Sequence, residues 1–321
     1  MTTNKQLNRL ENFSISFFAI ALGLAGFTLL LQKSEMILKF NLHLSTLFLN
    51  ITLIIFILIS LIYLFKFLIK TNSIIEEFTH PVKMSFFPLI AKVLIVLSII
   101  FIERSVITSK YLWLLGAILQ LIFTFVIVSA WMRHPKFNII HITPAWFIPV
   151  VGSILLPIVG VKHFNPLFSW FFFSIGLVFW LVLFILFMNR VIFHNPVEEK
   201  LLPTFFILFA PPAIGFISYI KLVGELDAFA KILYFLSLFL FLLILFQFKM
   251  FLKIKFYLSW WAYSFPLAAM GTATLLMYHL TKLSFFSYLA YFILGFLTIM
   301  MILLTIKTLL GIFKKELCVK D

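Results

Sequence analysis

Along the chain, long apolar runs alternate with short polar links. A helix of about 20 apolar residues spans the ~30 Å hydrocarbon core of a bilayer. Ten such runs can be placed, at 12–32, 44–69, 83–103, 111–132, 142–161, 167–189, 201–221, 228–248, 257–279 and 285–306. The links hold most of the charge, as in KTNSIIEEFTHP, ERSVITSK, RHPKFN and FKMFLKIK. None is long enough to form a soluble domain of its own. The pattern predicts an all-α integral membrane fold, with residues 1–321 as a single transmembrane domain. The first run has no small-residue cleavage site after it, so it reads as a retained helix rather than a removed signal.

The odd and even runs differ. The third, fifth, seventh and ninth carry prolines at depth: Pro88, Pro149 and Pro157, Pro203, Pro211 and Pro212, and Pro266. The first has no proline but carries Gly23 and Gly26. The even runs are uninterrupted Leu/Ile/Phe stretches such as ITLIIFILISLIYLF. Proline inside a helix removes a backbone hydrogen bond. In lipid the freed carbonyl needs another partner, so such breaks belong inside the protein or beside a cavity. Helices apolar all round can face lipid. The intervals from Gly23 through Pro88, Pro149, Pro211 and Pro266 are 65, 61, 62 and 55 residues, one helical hairpin each. Five hairpins with one kink apiece predict a quasi-fivefold ring, with the odd helices lining a central pore and the even helices outside.

Composition agrees with lipid as the main solvent. The chain is 64% hydrophobic and only 11% charged, against about 25% charged in soluble domains; its mean hydropathy is +1.17. The formal net charge of +14 would suggest nucleic acid in a soluble protein. Here the basic residues flank apolar runs, where they set topology, and no basic-aromatic patch stands apart from the membrane segments, so no nucleic-acid partner is expected. With the N-terminus inside, 16 Lys and Arg fall on the cytoplasmic side and 8 on the other. The positive-inside rule then places both termini in the cytoplasm. A single cysteine, Cys318, excludes an intrachain disulfide and a cysteine metal site.

Absent chemistry narrows the function. None of the 11 Asp and Glu residues lies deep in an apolar run, and the seven His fall in links or at helix ends. Proton-coupled transporters place Asp, Glu or His within the membrane, and cation pathways use acidic rings. No Walker, GxSxG or HExxH motif occurs, so no enzyme, cofactor or metal is expected. Lys92 is the one ionisable residue near a helix centre, about 13 Å beyond Lys83 along the helix. It shares a face with Pro88, four residues earlier. It either faces a cavity or tucks against the carbonyl that Pro88 leaves free; in both cases its sign favours anions. Glu225 and Asp227, at the start of the eighth run, read as helix caps rather than catalytic carboxylates. With 44 Phe in the chain, composition singles out none of them.

Five stretches carry a family resemblance: FFAIALGLAG (17–26), HPVKMSFFPLI (80–90), TPAWFIPVVGS (143–153), FAPPAIGFISYIKLVGELDAFAKILYF (209–235) and WWAYSFPLAAMGTAT (260–274). They resemble the TehA-like tellurite-resistance/dicarboxylate transporter family, related to plant guard-cell slow-type anion channels. The resemblance runs over all ten helices in order, and its last two stretches are the most specific. It implies ten helices in five hairpins, a pore in each subunit of a homotrimer, and occlusion of the pore by a Phe of the ninth helix, which matches Phe265. Two positions depart from the pattern. Ala21 stands where some members have proline, and Lys92 where an apolar or small residue is expected.

The reading that results is a passive, multi-pass anion channel of a bacterial inner membrane, conducting small anions such as chloride or nitrate, with Phe265 as pore gate and Lys92 as a pore-lining charge. The alternatives are a secondary carrier of dicarboxylates such as malate, which the missing intramembrane carboxylates disfavour, and a tellurite-resistance component. The charge count makes a direct prediction. An impermeant thiol reagent should leave Cys318 unlabelled in intact cells and label it after permeabilisation; ready labelling of intact cells would overturn the topology.

Overall fold

The computed structural model describes residues 9–39, 43–133 and 135–319. Among these residues, nine segments are long and apolar enough to cross a membrane: α1 (Ile15–Leu38), α2 (Leu44–Ile69), α3 (Lys83–Phe101), α4 (Val106–Arg133), α5 (Pro144–His163), α6 (Pro166–Phe193), α7 (Glu199–Val223), α8 (Ala228–Phe246) and, last, Ser284–Phe313. Between the last two lies a further helical segment, here α9, made of a 3-10 stretch Leu258–Tyr263 and an α-helix Ser264–Thr281. Ser284–Phe313 is therefore α10. The segment α9 is less apolar, with Ser264, Thr272, Thr274, Tyr278 and His279 along its length. No strand occurs among the described residues.

Burial alternates along the chain. In α1, α3, α5 and α7 between 83% and 94% of the most apolar stretch is buried, whereas in α2, α4, α6, α8 and α10 the share is 22–39%. The even segments present Ile57, Phe125, Ile185, Phe239 and Phe292 outward. Such faces are tolerable only in lipid, because a water-soluble protein rarely exposes so large a contiguous apolar surface. Each odd segment packs against the even segment that follows it. The odd segments also pack on one another in cyclic order: α1 on α3, α3 on α5, α5 on α7, α7 on α9, and α9 back on α1.

The prolines act as helix starts. Each buried segment opens with 3-10 backbone and changes to α-helix further on. Pro88 is the N-cap of Leu89–Phe101, after the 3-10 turn Lys83–Phe86. Pro149 lies in the short helix Phe147–Val151, between two 3-10 turns, and Pro157 opens Pro157–His163. Pro211 follows Ala210 at the start of Ala210–Val223, after an unusually long 3-10 run, Glu199–Phe209. Pro266 is the third residue of Ser264–Thr281. The first turn of an α-helix has no use for its N–H groups, so proline is tolerated there. Phe265 is therefore helical, although a residue before proline is biased away from that conformation; the change of helix type comes one residue earlier. Gly23 has no such change beside it, since Phe18–Leu38 is continuous α-helix. A Cβ there would clash with Ser264 Oγ and lie 2.9 Å from Trp261 Cε3, so Gly23 lets α9 pack closely on α1.

Caps fix the hairpin ends. Glu35 accepts from the Ser45 N–H at 3.0 Å at the start of α2. Asp227 caps α8 by accepting from the Ala230 N–H at 2.8 Å and also receives the Tyr219 hydroxyl at 2.6 Å, the capping role read from the sequence. These bonds hold the Asp227 carboxyl below the usual carboxylate range, the Ala230 N–H contributing most. Cys318 is half-buried, and that burial raises its thiol, so its labelling calls for an alkaline pH.

One buried ion pair ties the start of α1 to α2. A short helix, Thr71–Thr79, carries Glu77 inward. Its carboxylate accepts from Lys66 Nζ at 3.0 Å, Tyr63 OH at 3.1 Å, Ser14 Oγ at 2.8 Å and the Ile15 N–H at 2.7 Å. Lys66 also donates to the Phe13 carbonyl at 2.9 Å. Removing one partner of a buried pair strands the other charge at a cost of about 3–5 kcal/mol, while replacing both is far milder. Lys66→Met is expected to lower the thermal unfolding midpoint in detergent markedly, and Lys66→Met/Glu77→Gln to recover most of the loss. A double variant no more stable than Lys66→Met would show that the pair is not the anchor.

Candidate functional site

The five odd segments enclose two cavities that meet end to end. The first lies among their C-terminal halves and has a volume of about 280 Å³. Its charged and titratable wall residues are Lys33 on α1, Glu103 just after α3, Lys162 on α5, Lys221 on α7 and His279 on α9. The second, of about 80 Å³, lies among their N-terminal halves. Its wall is apolar and aromatic, with Phe86, Phe147, Pro211, Trp261 and Pro266 prominent, and Lys92 is its one charged residue. All five break positions neighbour this second cavity directly or through an adjacent residue: Pro211 and Pro266 line it themselves, and Pro88 adjoins Leu89. Pro149 follows the wall residue Ile148, and Gly23 follows Leu22.

Three residues border both cavities: Leu155 on α5, Ile214 on α7 and Phe265 on α9. The partition between the two spaces is thus apolar. In the stretch from Tyr263 to Leu275, Phe265 alone is not fully buried, because its ring faces the open space. The ring rests against α1 at Gly26, where a Cβ would lie 3.0 Å from Phe265 Cδ2. An apolar partition with no charged latch blocks ions by steric exclusion and dewetting.

Lys92 is buried, and its Nζ donates to the Ile148 carbonyl of α5. The side chain lines the second cavity, and its amine is tied to a backbone carbonyl. That carbonyl belongs to the neighbouring segment, however, and not to the turn broken by Pro88. Beside it the Gly152 N–H donates to Val150 O, at the change from α to 3-10 helix. Other side chains donate to further carbonyls of α5, of which Leu156 O also accepts the Gly160 N–H at 3.0 Å. Gln120 Nε2 and Thr124 Oγ1 of α4 donate to Pro149 O at 2.6 and 2.7 Å, Trp113 Nε1 of α4 to Leu156 O at 2.8 Å, and Ser218 Oγ of α7 to Ile154 O at 2.5 Å. From the sequence, the α4 donors blend into an apolar run. Their signal is positional: Ser109, Trp113, Gly116, Gln120 and Thr124 recur at three- and four-residue spacing on one face. The lysines of the larger cavity were equally hidden, since the charge count treats them as loop residues outside the membrane; each sits within the last turn or two of an odd segment.

Residues 12–309 match the family described as SLAC1, voltage-dependent anion channel. The S-type anion channel SLAH2 of Arabidopsis thaliana is 28% identical over 276 residues, 83% of this chain. The chain spans only 53% of that plant protein's length. A transporter of Methanocaldococcus jannaschii is 26% identical over 336 residues, covering 96% of this chain and 97% of its own. A tellurite resistance protein TehA homolog of Haemophilus influenzae is 27% identical over 300 residues, 90% of this chain and 89% of its own. The match extends from the start of α1 into α10 and takes in both cavities and the partition between them, and the chain belongs to the SLAC1/TehA family of anion channels and transporters.

Proposed function

We propose that this protein is a passive channel for small anions of the chloride and nitrate kind in a bacterial inner membrane, closed in the present state by Phe265. The observation that carries the reading is the continuity of two cavities across a partition of three apolar side chains. In this reading α9 is the tenth membrane span. The five odd segments form a quasi-fivefold ring around the path, and the fixed positive charge along it comes from lysines on their inner faces. In this reading a small monovalent anion is held only weakly along the path, which suits conduction, because a permeant ion must leave as readily as it enters. The apolar outer faces of the even segments fit lipid and the neighbouring subunits of a homotrimer with one pore per subunit, and both termini lie in the cytoplasm. Similarity to a tellurite resistance protein homolog keeps a carrier of larger anions in view. Proton dependence of flux in liposomes separates a carrier from a channel.

Phe265→Ala removes the largest part of the partition. Planar-bilayer or oocyte recording should show a large constitutive anion current in this variant. Two controls separate gating from packing. Phe241 is fully buried against Phe209, ring centroids 5.5 Å apart, so Phe241→Ala should lose stability, by about 3–5 kcal/mol on soluble-protein scales, and gain no current. Phe239, exposed on α8, should tolerate Ala with neither effect. A correctly inserted Phe265→Ala protein as silent as its parent would sink the gate assignment.

Lys92→Met keeps the length of the side chain and removes its charge. Measured in the open Phe265→Ala background, anion conductance or anion-over-cation selectivity should fall. If both stay unchanged, the amine serves only the Ile148 carbonyl and contributes no field to the path.

A further inference from the structure

The two halves of the path differ in charge in a way that conduction of small anions alone does not require. Five helix C-termini converge on the larger cavity, and helix C-termini carry partial negative charge from their open carbonyls. An anion arriving there would be repelled unless fixed cations outweighed that charge. The cavity wall carries three lysines from three different segments, Lys33, Lys162 and Lys221. One of them is neutralised, since Lys33 Nζ lies 3.6 Å from Glu103 Oε1. Lys162 and Lys221 have no ion-pair partner among the described residues; each is within electrostatic reach of the other, and Lys221 is also within reach of the Glu103 carboxylate that pairs with Lys33. The neighbour of Lys162, His163, turns away to the Ser109 hydroxyl at 2.9 Å, which leaves Lys162 alone to face the cavity. His279 also lines the wall.

A lysine at a helix C-terminus commonly does no more than complement the local dipole or reach toward water. Here two such lysines line one cavity and repel each other, and an ion placed between them relieves that repulsion. A cleft lined by one sign of charge with low-dielectric walls also concentrates the field within it. Two unpaired ammonium groups match two negative charges, and ammonium donors favour oxygen acceptors. The volume of about 280 Å³ lies near the lower end of small-molecule sites, about 300–1,000 Å³. Resting on the reading of the path as an anion pore, we infer that the larger cavity is a binding site for a doubly charged oxyanion, held between Lys162 and Lys221, and that such an ion blocks the path from this side. A monovalent anion is held by this field more weakly and passes on. A divalent ion leaves slowly and meets the apolar partition of Leu155, Ile214 and Phe265, which offers it nothing in place of its hydration. The smaller cavity, with Lys92 already bonded to a carbonyl, has no matching pair, so block is one-sided.

The test uses the purified full-length protein and sulfate as the probe. In detergent, sulfate titrated against sodium chloride at matched ionic strength should raise the unfolding midpoint saturably. Lys162→Gln/Lys221→Gln should weaken the apparent sulfate affinity at least about tenfold, while Lys249→Gln/Lys253→Gln, a pair of exposed lysines outside both cavities, should leave it unchanged. No saturable response in the parent, or an equal response in Lys162→Gln/Lys221→Gln, overturns the site. This readout is independent of current, so a protein that binds sulfate in this way yet conducts nothing refutes the channel and upholds the site. In Phe265→Ala bilayers, sulfate on the side of Lys162 and Lys221 should block chloride current at a concentration at least about tenfold lower than sulfate on the other side. Equal block from both sides, or block unaltered by the double lysine substitution, overturns the one-sided mechanism.

Discussion

The structure depends above all on one constraint: a backbone carbonyl inside a membrane must find a donor within the protein. Segment α5 shows how far this reaches. Where it alternates between 3-10 and α turns, the carbonyls of Ile148, Pro149, Ile154 and Leu156 accept from side chains, and the donors come from α3, α4 and α7. Those bonds hold α5 to its neighbours on both sides and explain why polar residues lie on the inner face of an otherwise apolar α4. A similar bond joins Ser237 of α8 to the Phe209 carbonyl, at the end of the long 3-10 run in α7, at 2.8 Å. The broken segments are therefore confined to the interior, and the unbroken even segments, whose backbone needs no outside help, are left to meet lipid.

The same breaks shape the path. Since each odd segment changes from 3-10 to α-helix partway along, its inner face is not a uniform wall. The N-terminal halves, rich in proline and aromatic residues, leave a small apolar space, and the regular C-terminal halves splay around a larger one. The partition falls between them, at Leu155, Ile214 and Phe265. Phe265 stands there because Ser264–Thr281 begins one residue before it, which aims the ring along the first helical turn, and because Gly26 leaves room for it on α1. Charge follows the same division: cations gather at the C-terminal ends of the odd segments, where the helix dipoles favour them, and Lys92, the exception deeper in, is held by a carbonyl that a broken helix left open.

Much of this was legible in the sequence because it is local. Length and composition mark nine of the runs among the described residues as able to span a membrane, and proline at depth marks α3, α5, α7 and α9 as buried, although α1 is buried without one; the alternation read from Pro88, Pro149, Pro211 and Pro266 is the alternation of burial observed. The capping role of Asp227 was equally local, since the cap and its N–H lie three residues apart. Gly23 was grouped with the prolines because glycine and proline both interrupt helices, yet a glycine in a membrane helix also permits close packing, and only its neighbours on α9 decide between the two. What the tertiary structure decided is which distant groups meet. The partner of Lys92 lies 56 residues away, the partners of Pro149 O 25 and 29 residues away, and the partner of Ile154 O 64 residues away. Three lysines that read as separate loop charges share one cavity wall. The sequence by itself determined which segments enter the membrane and which of them are broken, since hydrophobicity and helix breaking are properties of a single stretch of chain; the pairing of open carbonyls with donors, and the convergence of charge on one half of the path, were decided only by packing, because they depend on relative positions of segments that no local pattern encodes.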